Sequence, residues 1–538
     1  MLKHERRGLN NLSDPTKILI APPPKGPVRE RRIAAGALFL CLFLVTIPFL
    51  VVRYVPSTDL PQHLAQIRLL EDHFRNPAHS EYAVEWFGAN SLVYGLIGAN
   101  WVLFKPVLAG KMAVLELALA WVFVVFAFAR RKECPVAAAV LASILVFNAS
   151  LYWGFLNFLL AWPVFGLWYL TIVDRDNAPS KARRFLLVVL ESFFLFFAHT
   201  LWLLIGILVL FATDVFRRRS FKQFLMDCFA LVPVGIWSAI WYPRFAAIRS
   251  AFKFDMAARW FDLPWERLSP AWLVDAMLGG LRGPIEAVVF AIIILWIGMS
   301  LVTNIGKIRS RTEWDLFFVG GLFLLVASLA PDKYVNTMYF ASRWTPIAVT
   351  FILLALPMPK MPSPLALTVA LLLFVSVSSL TGVAWYRFET TENSGLEQSL
   401  DGISDGAKVV GLEFIKDSKM ICGRPFLQTF AYAQVLHGGE LNFSFAKHHS
   451  GIISYARIDT IYPGTPGLVW EPEKVRVRDF VQFDYALIHA SGDLHRYFAS
   501  YPLLKPLTTD GTWRLYRCGL KGPGTAQRTS DSTSHRMN

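Results

Sequence analysis

Residues 33–64 read IAAGALFLCLFLVTIPFLVVRYVPSTDLPQHL, and this stretch decides the fold. Residues 33–52 carry no charge, and their length and composition suit an α-helix that crosses a bilayer. Arg53 ends the run, and the polar segment after it contains Asp59 and His63, four residues apart. The stretch therefore predicts a membrane helix that ends close to an acid and an imidazole.

The composition indicates a protein with many membrane spans. Of 538 residues, 54% are hydrophobic and only 17% are charged, more apolar surface than a soluble protein can bury. The apolar runs are continuous rather than alternating, so the spans are predicted to be helices and not barrel strands. The formal net charge of +14 would suggest nucleic acid in a soluble protein. Here the basic residues cluster in predicted cytoplasmic loops, and no nucleic-acid partner is expected.

These basic clusters also orient the predicted spans. Residues 29–32, RERR, end a polar tail, residues 1–32, and place the N-terminus in the cytoplasm. A transmembrane module is predicted over residues 33–386, with a first outer loop at 53–108. About eleven transmembrane helices are expected, at residues 33–52, 109–129, 136–147, 154–173, two short spans that divide 185–216 at His199, 225–241, 285–302, 314–329, 344–356 and 365–385.

The first outer loop contains two further helical patterns. Residues 60–74 repeat apolar side chains at helical spacing, which predicts an interfacial helix that lies on the membrane. Residues 91–104 are apolar but too short to span, and favour a re-entrant or surface helix.

Residues 387–520 differ in composition from the rest of the chain. Their charges are balanced, and strand-like segments occur at 407–412, 484–489 and 513–518, with a turn at Gly438-Gly439. We predict a small extracytoplasmic α/β domain, followed by a disordered tail at 521–538. Cys422 and Cys518 both fall in this domain, where an oxidising compartment would permit a disulfide. The alternative is two free buried thiols.

The layout resembles that of the GT-C membrane glycosyltransferases, which use a polyprenyl-phosphate sugar as donor. Within that superfamily it is most similar to a bacterial branch described as dolichyl-phosphate-mannose mannosyltransferase-like. Many members carry two adjacent acids in the first loop, whereas here Asp59 is followed by Leu60, so a two-carboxylate metal site is not expected. A divalent metal remains an open question. The segments that carry the resemblance are residues 59–63 (DLPQH), residues 154–158 (GFLNF), Ala198-His199 and Arg343.

The resemblance implies that Asp59 accepts the proton of the acceptor hydroxyl. An alternative is structural, because Asp59 and Gln62 have the spacing of a helix capping box. His63 lies on the same helical face as Asp59, where it would share a proton, a metal or a substrate contact, or would be a surface polar residue.

Three further residues are candidates for binding the donor. His199 would meet the donor's sugar or phosphate, or would be wetted by lipid headgroups. Lys333 and Arg343 would hold the polyprenyl phosphate, because cations bind its oxygens, or would reach the interface from span ends.

Taken together, the chain is expected to move a sugar from a polyprenyl-phosphate donor to a lipid or polysaccharide acceptor, with inversion at the anomeric carbon. The expected location is the outer face of a bacterial inner membrane. Two alternatives stay open: a cell-envelope glycan polymerase or transporter, and a non-catalytic assembly protein with a degenerate transferase fold.

Overall fold

The computed structural model describes residues 28–77, 81–173, 180–218, 220–251, 257–334, 337–448, 451–456 and 464–519. Most of the predicted cytoplasmic tail, 1–32, and all of the predicted tail at 521–538 lie outside the described residues. The described part is mainly helical, with a small sheet near its C-terminal end.

The helices confirm a polytopic membrane protein. Seven of those described are long and apolar enough to cross a membrane, and four shorter apolar helices accompany them, so the predicted number of eleven spans stays a prediction. The helices are α1 Val28–Leu50, α2 Leu60–Arg75, α3 Leu92–Leu103, α4 Pro106–Arg131, α5 Val136–Ile144, α6 Ala149–Trp153, α7 Leu156–Trp168, α8 Lys181–Ala198, α9 Thr200–Phe216, α10 Phe221–Ala251, α11 Pro270–Met277, α12 Ile285–Thr303, α13 Ile308–Arg311, α14 Trp314–Leu329, α15 Thr345–Ala355, α16 Ser363–Arg387, α17 Leu396–Asp401, α18 Tyr432–His437, α19 Val477–Gln482 and α20 Gly492–Ala499.

Aromatic side chains fill the centre of the helical module. Trp162 and Trp202 are fully buried, and their ring centroids lie 6.1 Å apart. Phe323 packs on Trp202 at 5.8 Å and on Phe351 at 5.8 Å, which joins α9 to α14 and α15. Each such pair contributes about 0.5–1.5 kcal/mol beyond the area it buries. This rigid core supports the ends of α7, α9 and α15.

The long apolar run at 185–216 divides where the sequence predicted. Helix α8 ends at Ala198 and α9 begins at Thr200, and the backbone of His199 between them is extended. The Nδ1 atom of His199 accepts a hydrogen bond from the Leu201 N–H at 3.2 Å. The imidazole therefore caps α9 and satisfies one of its free donors.

The helix predicted at 60–74 is present, but its environment differs from the prediction. Gln62 and Gln66 are fully buried, because the C-terminal domain covers the polar face of α2. The amide of Gln62 donates to Gln428 Oε1 at 2.9 Å, and its Oε1 accepts from the Phe445 N–H at 3.0 Å. The first half of the helix is therefore buried between two parts of the protein.

The C-terminal region forms the predicted α/β domain. Its five-stranded sheet has the order β3-β2-β5-β7-β6, with β2 parallel to β3 and β5, and β7 antiparallel to β5 and β6. The predicted segments at 407–412, 484–489 and 513–518 correspond to β2, β5 and β7. The strands are β1 Tyr82–Val84, β2 Lys408–Glu413, β3 Glu440–Leu441, β4 Ile453–Tyr455, β5 Tyr485–His489, β6 Leu504–Pro506 and β7 Trp513–Cys518.

A second, two-stranded sheet joins the first loop to this domain. Strand β1 comes from the loop and pairs antiparallel with β4, with Ala83 opposite Ser454. Because backbone pairing fixes register, it adds to the side-chain contacts that hold the domain over α2.

The disulfide between Cys422 and Cys518 is not formed in the structure, where both are free thiols. The backbone N–H of Cys422 donates to the Gly280 carbonyl beside the membrane helices. Cys518 ends β7, where its N–H donates to the Asp484 carbonyl. The two residues thus serve different parts of the domain.

Candidate active site

The segment after α1 is bound to the turn that connects α6 and α7. The N–H groups of Thr58 and Asp59 donate to the carbonyls of Tyr152 and Trp153 at 2.8 and 3.1 Å. Gly154 follows at φ +75°, and a Cβ there would lie 2.7 Å from the Asp59 nitrogen. Only glycine fits this close approach, which explains its place in the GFLNF segment.

Asp59 precedes α2 but does not cap it. Its side chain makes no capping hydrogen bond, and Gln62 is used by the C-terminal domain, so the capping-box alternative is wrong. Among the described residues the half-buried carboxylate has no hydrogen-bond donor. Burial raises the pKa of Asp59 to about 7, and the positive charge of Arg343 opposes that rise. A carboxyl group with this pKa is suited to exchange a proton near neutral pH.

Arg343 is 4% exposed and lies at the start of α15. Its Nε donates to the Tyr339 carbonyl at 2.9 Å, and one Nη donates to the Met338 carbonyl at 2.6 Å. The guanidinium carbon lies 4.1 Å from the ring centroid of Phe155 and 5.3 Å from that of Phe158. Cation–π contacts of a desolvated arginine are worth about 2 kcal/mol or more, so the charge is well supported. The other Nη group makes no hydrogen bond to a described residue and is available to a ligand.

His63 is 5% exposed, so its interpretation as a surface residue is wrong. Its Nδ1 lies 3.0 Å from the Tyr94 hydroxyl, and its ring packs edge-on against Phe445 at 5.5 Å. Burial lowers the pKa of His63 to about 4, and the carbonyl of Gly154 opposes this. A neutral imidazole at this position links α2, α3 and the α6–α7 turn.

The other two predicted residues, His199 and Lys333, differ in their contacts with Arg343. The ring of Phe158, which contacts Arg343, also meets His199 edge-on at 5.8 Å. His199 is therefore near the arginine through a shared aromatic neighbour. Lys333 lies on the loop before Arg343, where its backbone pairs with that of Arg259. The charge of Arg343 acts on Asp59, and His63 follows Asp59 by one helical turn. The structure thus links four of the five predicted residues and places Lys333 on the neighbouring loop.

Sequence reasoning missed the residues that form the remaining walls. Trp153, Asn157 and Arg424 are half-buried and Tyr339 is 40% exposed, although their neighbours are largely buried. The buried Oδ1 of Asn157 has no hydrogen-bond partner among the described residues. The carbonyls of Trp153 and Arg424 accept hydrogen bonds from Asp59 N–H and the Thr58 hydroxyl, and the Tyr339 ring packs on Trp153, so these partly exposed residues adjoin the Asp59 segment. The available signal was the Trp153-Gly154 pair, in which an aromatic residue precedes an obligatory glycine.

A metal centre is not evident from the described side chains. No group of three or more His, Cys, Asp or Glu residues in that part of the chain is arranged to hold an ion. The sequence placed Asp59 and His63 on one helical face, and no third side chain of these types in the described residues completes a metal site with them.

Comparisons with known proteins place this geometry in a fold class. No protein-family model matches the sequence, and no curated protein matches it either. Among solved structures, ArnT from Cupriavidus metallidurans bound to undecaprenyl phosphate is similar, with a TM-score of 0.50 and 11% identity. That match covers 91% of this chain and 98% of ArnT. The arabinofuranosyltransferase AftD from Mycobacteria matches at a TM-score of 0.45 and 12% identity, over 91% of this chain and 40% of AftD.

The chain thus shares the fold of ArnT, and the sequence layout predicted a fold of the GT-C type. The likeness to ArnT extends along nearly the whole length of both chains and includes a membrane module with a C-terminal domain.

Proposed function

We propose that this protein transfers a sugar from a polyprenyl-phosphate donor to an acceptor hydroxyl. The observation that carries the proposal is the state of the Asp59 carboxylate. It lies beside a buried arginine, caps no helix, and has its pKa raised by burial to about 7. Perturbed carboxyl groups in clefts are typical of catalytic acids and bases.

The reaction is a displacement at the anomeric carbon. The acceptor oxygen forms the new bond to that carbon while the bond to the phosphate oxygen breaks. The acceptor's proton passes to Asp59, and the polyprenyl phosphate leaves with the bonding electrons. Arg343 binds the developing phosphate charge through the Nη group that is not hydrogen-bonded to the protein. Attack opposite to the leaving group inverts the anomeric configuration.

An apolar cavity of about 730 Å³ supports a polyprenyl donor. Its walls include Phe74, Trp86 and Phe87, which are exposed, and the small residues Gly95 and Gly98, which leave room along α3. Tyr94 lines it and contacts His63, which lies one helical turn after Asp59. The cavity is therefore connected to the Asp59 segment through Tyr94 and His63. ArnT, the similar structure, is itself bound to undecaprenyl phosphate.

The proposal includes a location and a division of the chain. The N-terminal tail, 1–32, would lie in the cytoplasm, and the module at 33–386 would cross the bacterial inner membrane. The domain at 387–520 would then be periplasmic, on the side where Asp59 and a lipid or glycan acceptor meet.

The test is a deletion strain complemented with wild type or with Asp59→Asn, in which surface glycans are analysed by mass spectrometry. We expect the deletion to lose one sugar mass, wild type to restore it, and Asp59→Asn to insert normally without restoring it. An unchanged glycan profile in the deletion strain would contradict the transferase function. Full restoration by Asp59→Asn would favour a non-catalytic assembly role.

A further inference from the structure

In the C-terminal domain, the segment that follows a central strand contacts the chain next to Asp59. Strand β2 ends at Glu413, directly beside His489 at the end of the parallel strand β5. Ligands of open α/β sheets commonly bind beyond the carboxyl ends of parallel strands. The chain after β2 runs back to the membrane module and meets it at Gly423 and Arg424.

Gly423 and Arg424 are held against the Asp59 corner. The Thr58 hydroxyl, one residue before Asp59, donates to the Arg424 carbonyl at 3.2 Å. Gly423 has φ +77°, and a Cβ at this position would lie 3.3 Å from the indole of Trp153. The glycine therefore lets the backbone come close to Trp153 and places the half-buried Arg424 next to the Asp59 segment.

Two aromatic rings, those of Trp153 and Tyr339, lie next to this segment. The ring centroids of Trp153 and Tyr339 lie 4.8 Å apart, at an interplanar angle of 40°. Tyr339 has φ +56°, a left-handed conformation that is costly for a bulky residue and tends to occur at functional sites. Its carbonyl accepts from Arg343 Nε. The strained residue therefore joins the aromatic wall to the phosphate-binding arginine.

Glu413 provides an independent sign of a missing ligand. It is 5% exposed, and its Oε1 has no hydrogen-bond partner among the described residues. An unpaired buried oxygen is unfavourable, and a ligand hydroxyl would satisfy it. Burial raises the pKa of Glu413 well above its usual value, and Arg424 is the strongest opposing influence. Arg424 also opposes the rise that burial causes in the pKa of Tyr339, so its charge acts on both residues.

We propose that Trp153, Tyr339 and Arg424 form a saccharide-binding subsite for the acceptor. The apolar face of a sugar ring packs on the two aromatic rings, Arg424 donates to its hydroxyl oxygens, and Glu413 accepts from a hydroxyl. This inference rests on the proposed function, because the bound hydroxyl must reach Asp59. Arg343 and the apolar cavity belong to the membrane module and serve the donor, whereas Arg424 belongs to the C-terminal domain. Because the proposed subsite binds a sugar ring, the acceptor is a saccharide, either carried on a lipid or free.

The subsite is tested with the full-length protein, purified as wild type, Arg424→Ala, Arg424→Lys, Asp59→Asn and Arg496→Ala. The probe is an array of bacterial surface saccharides, printed in free and in lipid-linked form. Arg496 is the matched control, because it is an exposed arginine of the same domain that pairs with Asp493. Thermal unfolding midpoints confirm that the variants are folded.

We expect wild type, Asp59→Asn and Arg496→Ala to bind the same saccharides. Arg424→Ala should weaken that binding at least tenfold, and Arg424→Lys should recover part of it, since lysine keeps the charge but loses the planar set of donors. Binding of the free form shows that the saccharide alone is sufficient for binding. If only the lipid-linked form binds, and Arg424→Ala weakens that binding, the acceptor is a lipid-linked saccharide. Wild type that binds no arrayed saccharide, or Arg424→Ala that binds like wild type, overturns the subsite.

The same variants separate this inference from the proposed function. If Asp59→Asn restores the glycan in cells while Arg424→Ala abolishes array binding, the transferase function proposed for Asp59 fails, and saccharide binding at Arg424 stands without its role in transfer. If Asp59→Asn abolishes transfer while Arg424→Ala leaves array binding intact, the subsite fails and the transferase function stands.

Discussion

The two halves of helix α2 lie in opposite environments. Residues 60–67 are buried between the membrane module and the C-terminal domain, and Gln62 and Gln66 bind backbone and side-chain groups of that domain. The last turn instead carries the surface ion pair of Arg75 with Glu71, and Phe74 is 60% exposed. One amphipathic pattern therefore serves a buried half, which holds Asp59 in place, and an exposed half that borders the apolar cavity.

The difference between the two halves of α2 shows why a helical pattern alone did not predict which residues the C-terminal domain would bury. Apolar residues at helical spacing describe a helix with two different faces, whether the polar face meets water or another domain. Glutamine and charged residues both count as polar in such a pattern. A glutamine amide, however, can make all its hydrogen bonds in a protein interior.

The largest effect is expected from Gly154→Ala, which changes the turn that supports the buried half. The new Cβ would lie 2.7 Å from the Asp59 nitrogen, in a backbone with φ +75°. We expect a loss of stability of about 2–4 kcal/mol from left-handed strain and overpacking, and a severe loss of transfer. The measurement is the thermal unfolding midpoint with the glycan assay. Gly36→Ala is the control, because nothing lies within 4 Å of its added Cβ and it should keep both properties.

A smaller effect is expected from Gln62→Ala, which removes one contact of the buried half with the C-terminal domain. The Gln428 side chain and the Phe445 N–H would each lose a partner. A buried group left unpaired costs about 1–3 kcal/mol, and α2 should hold Asp59 less firmly. Transfer should fall mainly through kcat, since the donor and acceptor contacts stay intact. A drop in stability without any change in kcat would show that the domain does not position Asp59.

The smallest effect is expected from Arg75→Ala on the exposed half. The pair of Arg75 with Glu71 is at the surface, where such ion pairs contribute about 0–1 kcal/mol. The unfolding midpoint should stay close to that of wild type. A loss as large as that of Gln62→Ala would mean that the two halves do not differ as their burial indicates.

The fold and part of the site were predictable from residue patterns. Uncharged runs such as 33–52 predict membrane helices by length, and the break at His199 followed because 32 apolar residues exceed one span. Asp59 and Arg343 were proposed as site residues because each lies next to a span end. Arg424 and Glu413 were not, because contacts between residues some 360 positions apart leave no local pattern. The possible pair of Cys422 and Cys518 shows the same limit, since spacing gives no Cα distance.

The central claim is that the Asp59 carboxylate accepts a proton during transfer, and its pH dependence is the most direct test. The pKa of Asp59 is raised to about 7, so the carboxyl is protonated, and inactive as a base, below that pH. His63, with a pKa lowered to about 4, stays neutral and should not contribute to the change. We expect kcat/KM for sugar transfer to fall about tenfold for each pH unit below 7 and to level off above it. A rate that stays flat from pH 5.5 to 8 would contradict this role of Asp59.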